Sequence, residues 1–178
     1  MYKLREMKEI ILAMMLWISN VTGYSIPEIP NIIYLNTMDL RSYAYGCEQT
    51  PIPNGNEEVC DAKENWDLDR ANLIALYDHI DKKIILNKKF NIKTIRDKSV
   101  LFHELVHHLQ YQNDIDSTVE CTGDLEKEAY TLQDKWLQEK YGVTVWDTIE
   151  INRLYFLIIT NCMDSNRLSY RVPDPEYH

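Results

Sequence analysis

The four cysteines, Cys47, Cys60, Cys121 and Cys162, include no CxxC pair and are spaced too widely for a zinc ribbon. That excludes structural zinc held by thiolates. Basic residues are in deficit as well: 19 Lys and Arg against 28 Asp and Glu leave a formal charge of -9. A chain without a basic surface has little to offer phosphates, which argues against nucleic acid as a partner. The acidic surplus is compatible with cationic peptide ligands, although solubility accounts for it more simply. The apolar segment Ile10 to Ile18 is too short to span a bilayer as a helix, so no stable membrane span is expected. Repeats, low-complexity tracts and signs of a second domain are also missing. Residues 1–178 therefore read as one domain, large enough to bury a core without relying on disulfides or metal.

The same apolar segment follows Lys3, Arg5 and Lys8, the arrangement of a secretory leader, but Glu6 and Glu9 dilute the charge and no small-x-small cleavage site follows. At helical period, Leu4, Met7, Ile11, Met14, Met15 and Ile18 form a stripe that ends at Gly23. A packed first helix is the favoured reading, with a processed leader as the alternative. Among the three possible cysteine pairings, Cys47–Cys60 and Cys121–Cys162 are preferred: the first closes a Pro/Asn/Gly loop, the second ties a helix start to the last apolar segment. Such bridges place the chain in a secreted or periplasmic setting, and free thiols place it in the cytoplasm.

Further along, residues 31–36 (NIIYLN) read as a short buried strand, and residues 46–66 as a polar surface loop. Leu73 to Asp78 and Lys83 to Asn87 are β-type runs joined by a four-residue turn, an antiparallel hairpin. Thr94 and Asp97 are candidate caps for a helix ending at Asn113 and Asp114. Another helix runs from about Asp124 to Lys140 and stops at Gly142. A last one follows Asp147 with Ile149, Leu154, Tyr155, Ile158 and Ile159 buried, before a frayed tail with two prolines. The expected class is α+β, mainly helical, with a small antiparallel sheet or hairpin ahead of the central helix.

That central helix carries His103-Glu104-Leu105-Val106-His107. Histidines four apart project from one helix face, about 6 Å apart along the axis, so they can offer two nitrogens to one metal ion. Glu104, about 100° round the helix from His103, lies beside such an ion as a base for its water. An HExxH pattern also arises by chance on amphipathic helices, but Leu101, Phe102, Leu105, Val106 and Leu109 make this helix apolar and shield the histidines. The third adjacent histidine, His108, points elsewhere and reads as a partly exposed side chain.

Catalytic zinc takes three protein ligands and leaves one position for water. Glu126 and Glu128 on the next helix differ by about 200° in direction, so both cannot face the ion. With Leu125, Ala129, Leu132 and Trp136 defining the buried side, Glu126 falls inside the buried arc and Glu128 falls outside it beside Lys135. A buried carboxylate needs a partner, and a divalent cation is the strongest on offer. Glu126 is the preferred ligand over Glu128. Asp116, Glu120 and Asp124 read as loop or cap residues.

HELVH with Glu126 eighteen intervening residues later in the run Glu-Lys-Glu-Ala-Tyr resembles the gluzincin clan of zinc metallopeptidases, over about residues 70–140. Gln110 and the EKEAYTLQ run are similar to the compact minigluzincins within it. The resemblance implies a zincin-like fold, one Zn2+ on His103, His107 and Glu126, Glu104 as catalytic base, and a peptide or protein substrate laid along the hairpin edge. Two features depart from the clan. Tyr130 replaces the Asp or Asn that usually bonds a histidine ligand, where its phenol can still serve, and the oxyanion-stabilising residue has no clear counterpart, with Tyr111 as the available candidate. The alternative function is a zinc-bearing interaction or sensor module that has lost turnover.

Overall fold

The computed structural model describes residues 2–45, 73–149, 151 and 153–162. The expected Cys47–Cys60 pair and the loop 46–66 lie outside these residues. Helix α1 (Tyr2–Thr22) leads to strand β1 (Asn31–Leu35) and helix α2 (Thr37–Tyr45). Strands β2 (Ala75–Asp78) and β3 (Lys83–Asn87) follow, then helices α3 (Ile95–Gln112), α4 (Thr122–Tyr141), α5 (Val145–Ile149) and α6 (Arg153–Ile159). The architecture is α+β and mainly helical.

The three strands lie in the order β1-β3-β2, with β3 antiparallel to β2 as the expected hairpin and parallel to β1. The sheet is thus mixed, not wholly antiparallel. The strand pattern alone identified β1 without giving its direction, because its neighbour in space lies some fifty residues further on. As an edge strand, β1 leaves Asn31 and Tyr34 exposed, which corrects the expectation of a buried strand. In β2 and β3 successive side chains alternate between two covered faces. Ala75, Tyr77, Ile84 and Leu86 join the main core with α1, α3 and α4, while Leu76 and Ile85 meet Leu40 and Ala44 of α2.

Helix α2 was not anticipated. Its signal is local: the Asn36 side chain accepts the backbone N–H groups of Met38 and Asp39, and its amide donates to Asp39, an N-terminal cap built from Asn-x-x-Asp. α1 buries Ile11, Met14, Met15 and Ile18 and ends at Gly23 in the left-handed region, φ 82°. α3 starts on Thr94, whose hydroxyl accepts from Asp97 N–H at 3.1 Å. It is the central element, flanked by the sheet, α1 and α4, with Leu101, Phe102, Leu105, Val106 and Leu109 fully buried.

The expected last helix is two short ones, α5 and α6, and its expected burial is corrected: Ile159 is buried, whereas Leu154 is 65% and Ile158 38% exposed. α6 packs through one end and one side only, so an apolar stripe does not translate into a covered face. Cys121 and Cys162 are joined by a disulfide, Cα–Cα 5.6 Å, tying the residue before α4 to the residues after α6. No helix among the described residues is long and apolar enough to cross a membrane.

Leu105 is fully buried among side chains from several elements, and Leu105→Ala should cost about 2–5 kcal/mol of stability. Urea unfolding checks this through a fall in the transition midpoint with little change in slope.

Candidate metal centre

Along α3 the chain puts His103 and His107 on one face, and α4 lays Glu126 opposite them. His103 Nε2 lies 3.2 Å from Glu126 Oε2, His107 Nε2 3.4 Å from Glu126 Oε1, and the two Nε2 atoms are 3.0 Å apart. The three candidate ligand atoms lie within 4.8 Å of one another.

The outer nitrogens decide what these atoms are. Gln133 donates its Nε2 to the Ser99 carbonyl at 3.0 Å and to the Ser99 hydroxyl at 2.7 Å. A carbonyl only accepts, so the amide is fixed with Oε1 toward His103 Nδ1, 3.1 Å away. That nitrogen must carry a proton. Gln110 repeats the device on His107: its Nε2 donates to the Leu125 carbonyl at 3.0 Å and to Glu128 at 2.8 Å, and its Oε1 accepts from His107 Nδ1 at 2.8 Å. In the neutral rings both Nε2 atoms are consequently bare lone pairs, facing each other and a carboxylate. Three converging acceptors repel unless a cation joins them. Two imidazole nitrogens and one carboxylate oxygen fit the donor preferences of zinc.

Without a metal, a proton meets part of this demand. Burial alone would lower the His107 pKa, but the Glu126 charge and hydrogen bond, with Glu104 and Gln110, push it up to about 9. Burial would raise Glu126, yet His107 and His103 outweigh it and hold its carboxyl below the usual range. For Glu104 burial prevails: desolvation raises its pKa against the lowering by His103, His107 and the backbone N–H of Tyr77. A carboxylate with raised basicity beside the cluster is suited to taking a proton from water.

Several expected roles are redistributed. Glu128 is not a solvated acid paired with Lys135: both its oxygens accept from the Tyr24 hydroxyl at 2.8 Å, and Oε2 also accepts from Gln110. It lies one step behind the ligand face, because Gln110 reaches across from α3 to fill the space. His108 is fully buried, not partly exposed. Its Nε2–H donates to the Glu28 carbonyl at 3.1 Å and its Nδ1 faces the Tyr77 hydroxyl at 3.3 Å, since the segment after α1 folds over it. Burial lowers its pKa. Tyr130 meets His103 with its ring, centroids 4.4 Å apart, while Gln133 takes the outer nitrogen. Tyr111 stacks on His79 at 4.7 Å, and burial, then the charges of Asp116 and Glu126, raise its hydroxyl pKa. Asp116 and Glu120 are exposed and outside the cluster. Asp124 approaches Cys121 and Cys162, whose sulfurs are bonded to each other and offer no thiolate.

The glutamine pair was not assigned from sequence. Gln133, seven residues after Glu126 on the buried arc, and Gln110, three after His107, are one or two turns from the ligand beside them, and a buried amide at that spacing is the signal. Gln133→Ala should weaken zinc affinity about 10–100-fold, measured by chelator competition. The raised His107 pKa stabilises the metal-free fold fully below its unfolded value near 6.5, and this contribution fades as pH rises through about 9. Metal has to displace that proton, so zinc titration near pH 7 should release about one proton per ion, detected by buffer-dependent calorimetry, and His107→Ala should abolish the release.

No curated protein and no solved structure matches the chain significantly. A family model does, over residues 52–166, which is more than half of the chain and includes all four site residues but none of α1. The chain belongs to the family described as a domain of unknown function, DUF6647.

Proposed function

We propose that the protein is a zinc-dependent peptidase, with His103, His107 and Glu126 as metal ligands and Glu104 as general base. The observation that carries this reading is the convergence of two Nδ1-tethered histidines and one carboxylate beside a buried second carboxylate. A structural site would fill its fourth position with a side chain, and the described residues bring only three donors together here. Bound zinc would lower the pKa of a water toward neutrality and polarise the substrate carbonyl.

The chain's own groups do the rest. Glu104 accepts a proton from the attacking water as the oxygen bonds to the carbonyl carbon. It then delivers that proton to the amide nitrogen as the C–N bond breaks, so carboxylic acid and amine leave together. The Tyr77 N–H at the carboxylate holds Glu104 toward this position. Strand β2 is an edge of the sheet, and its register assigns the outward groups. Asn87 N–H bonds the Ile74 carbonyl at 2.8 Å, so Ile74, Leu76 and Asp78 pair inward with β3, and the backbone groups of Ala75 and the C=O of Tyr77 face out, the Tyr77 N–H being held by Glu104. An extended peptide can add there as a further strand, placing its backbone alongside Glu104.

Glu104→Gln should keep one zinc per chain while peptide hydrolysis falls about 10²–10⁴-fold. Metal analysis and a quenched-fluorescence peptide library check the two halves separately. Retained activity in this variant would sink the mechanism, and stoichiometric zinc with no cleavage by the wild type would favour an interaction or sensor role.

A further inference from the structure

Beyond the candidate metal centre, α5 and α6 form a shallow, open pocket lined by Trp146, Arg153, Phe156 and Leu157, about 280 Å³ in volume. It is smaller than the sites that swallow a whole organic ligand, and suits one large side chain. Its place in the fold connects it to the ligands. The Phe156 ring meets Tyr130 edge-on at 5.6 Å, and Tyr130 lies against His103 at 4.4 Å. An extended peptide rises about 3.3 Å per residue, so the Phe156 ring lies no farther from the His103 ring than the length of about three residues of backbone.

The lining names the occupant. Trp146 and Phe156 pack edge-to-face at 5.1 Å and, with Leu157, present apolar surface. The Arg153 guanidinium sits 5.9 Å from the Trp146 ring centroid and lines the pocket. A fork of positive donors beside an apolar recess, in a chain of formal charge -9, recognises a bulky apolar residue flanked by a carboxylate. The pocket wall is tied to the candidate ligands: the disulfide Cys121–Cys162 joins the chain after α6 to the residue before α4, five residues ahead of Glu126. At Gly123 the end of α6 comes so close that a Cβ would stand 3.1 Å from the Thr160 carbonyl carbon and 3.2 Å from the Ile159 oxygen.

We infer that this pocket is the specificity site of the proposed peptidase, taking an aromatic or large aliphatic side chain within about three residues of the cleaved bond, with Arg153 pairing a carboxylate next to it. The inference rests on the peptidase reading for the word specificity, but peptide binding at the pocket can be measured without turnover. The carboxylate has two sources, the peptide's own C-terminus or a neighbouring Asp or Glu.

The test is NMR titration of the zinc-treated full chain with acetyl-Ala-Leu-Phe as free acid, as C-terminal amide, as acetyl-Ala-Leu-Phe-Asp-amide, and as acetyl-Ala-Leu-Ala free acid. The Trp146 indole N–H, assigned with Trp146→Phe, is the probe. Phe should bind about tenfold more tightly than Ala. The free acid should exceed the amide about threefold. Affinity restored in the Asp peptide identifies a side-chain carboxylate as sufficient, and affinity confined to the free acid identifies the terminus; either supports the pairing. Arg153→Gln, at an exposed position, should erase the acid preference and keep the Phe preference, whereas Leu157→Ser should weaken the Phe preference. Equal binding of Phe and Ala peptides, or peptide shifts that leave the indole unmoved, would overturn the pocket. Failure of the peptidase reading looks different: indole shifts with these preferences, but no cleavage of any of the peptides.

Discussion

Two backbone carbonyls, those of Ser99 and Leu125, set the chemistry of the centre without touching it. Because each can only accept, each fixes the amide of a buried glutamine, and each glutamine in turn fixes the proton on the outer nitrogen of a histidine. The lone pairs of His103 and His107 are thereby aimed at one point that Glu126 also faces. Metal-binding histidines ordinarily use a carboxylate or a carbonyl for this purpose. A neutral amide orients the ring as well but adds no negative charge. That matters here, where Glu104 and Glu126 already place two carboxylates within each other's field.

The surrounding fold serves this arrangement in separable ways. Helix α3 is held on its sheet side by Tyr77, Ile84 and Leu86 and on its other sides by α1 and α4, so the histidine pair sits on an element with little freedom to shift. The segment after α1 adds three polar clasps: Tyr24 to Glu128, Ser25 to Asn113 and the Glu28 carbonyl to His108. The first of these runs through Gln110 to His107. The N-terminal helix is thus coupled to the site although it lies outside the family match.

HELVH was legible because four-residue spacing on a helix is a property of the helix alone. The placement of Glu126 was nearly so: angular position on α4 against Leu125, Ala129 and Leu132 put it inward and Glu128 outward, and the structure brings Glu126 to the histidines. What stayed hidden needed two elements at once. Glu128 acquires its role from Tyr24 and Gln110, a hundred residues and eighteen residues away, so its helix face predicted solvent where the fold supplies partners. His108 is buried by a segment that no periodicity on α3 could foresee. The mixed sheet is a case of the same kind, since the direction of β1 is decided by its pairing with a distant β3. At α6 the error runs the other way: Leu154 and Ile158 have the pattern of a core but not the neighbours.

The energetics explain why such a cluster persists in the interior. Each buried acceptor without a partner costs on the order of 1–3 kcal/mol, and a charge more. The polar groups behind these residues are matched outward, Gln133 on Ser99, Gln110 on Leu125 and Glu128, Glu128 on Tyr24, so the unmet demand collects at one point between His103, His107 and Glu126. A proton meets it only partly, since one proton cannot satisfy two lone pairs and a carboxylate together. A divalent ion would satisfy all three. Glu104, buried next to that position with its pKa raised by desolvation, gains its basicity from the same dryness that makes the cluster costly. The converging acceptors of His103, His107 and Glu126 and the raised pKa of Glu104 therefore have one physical origin, the exclusion of water from the face of α3 that meets α4.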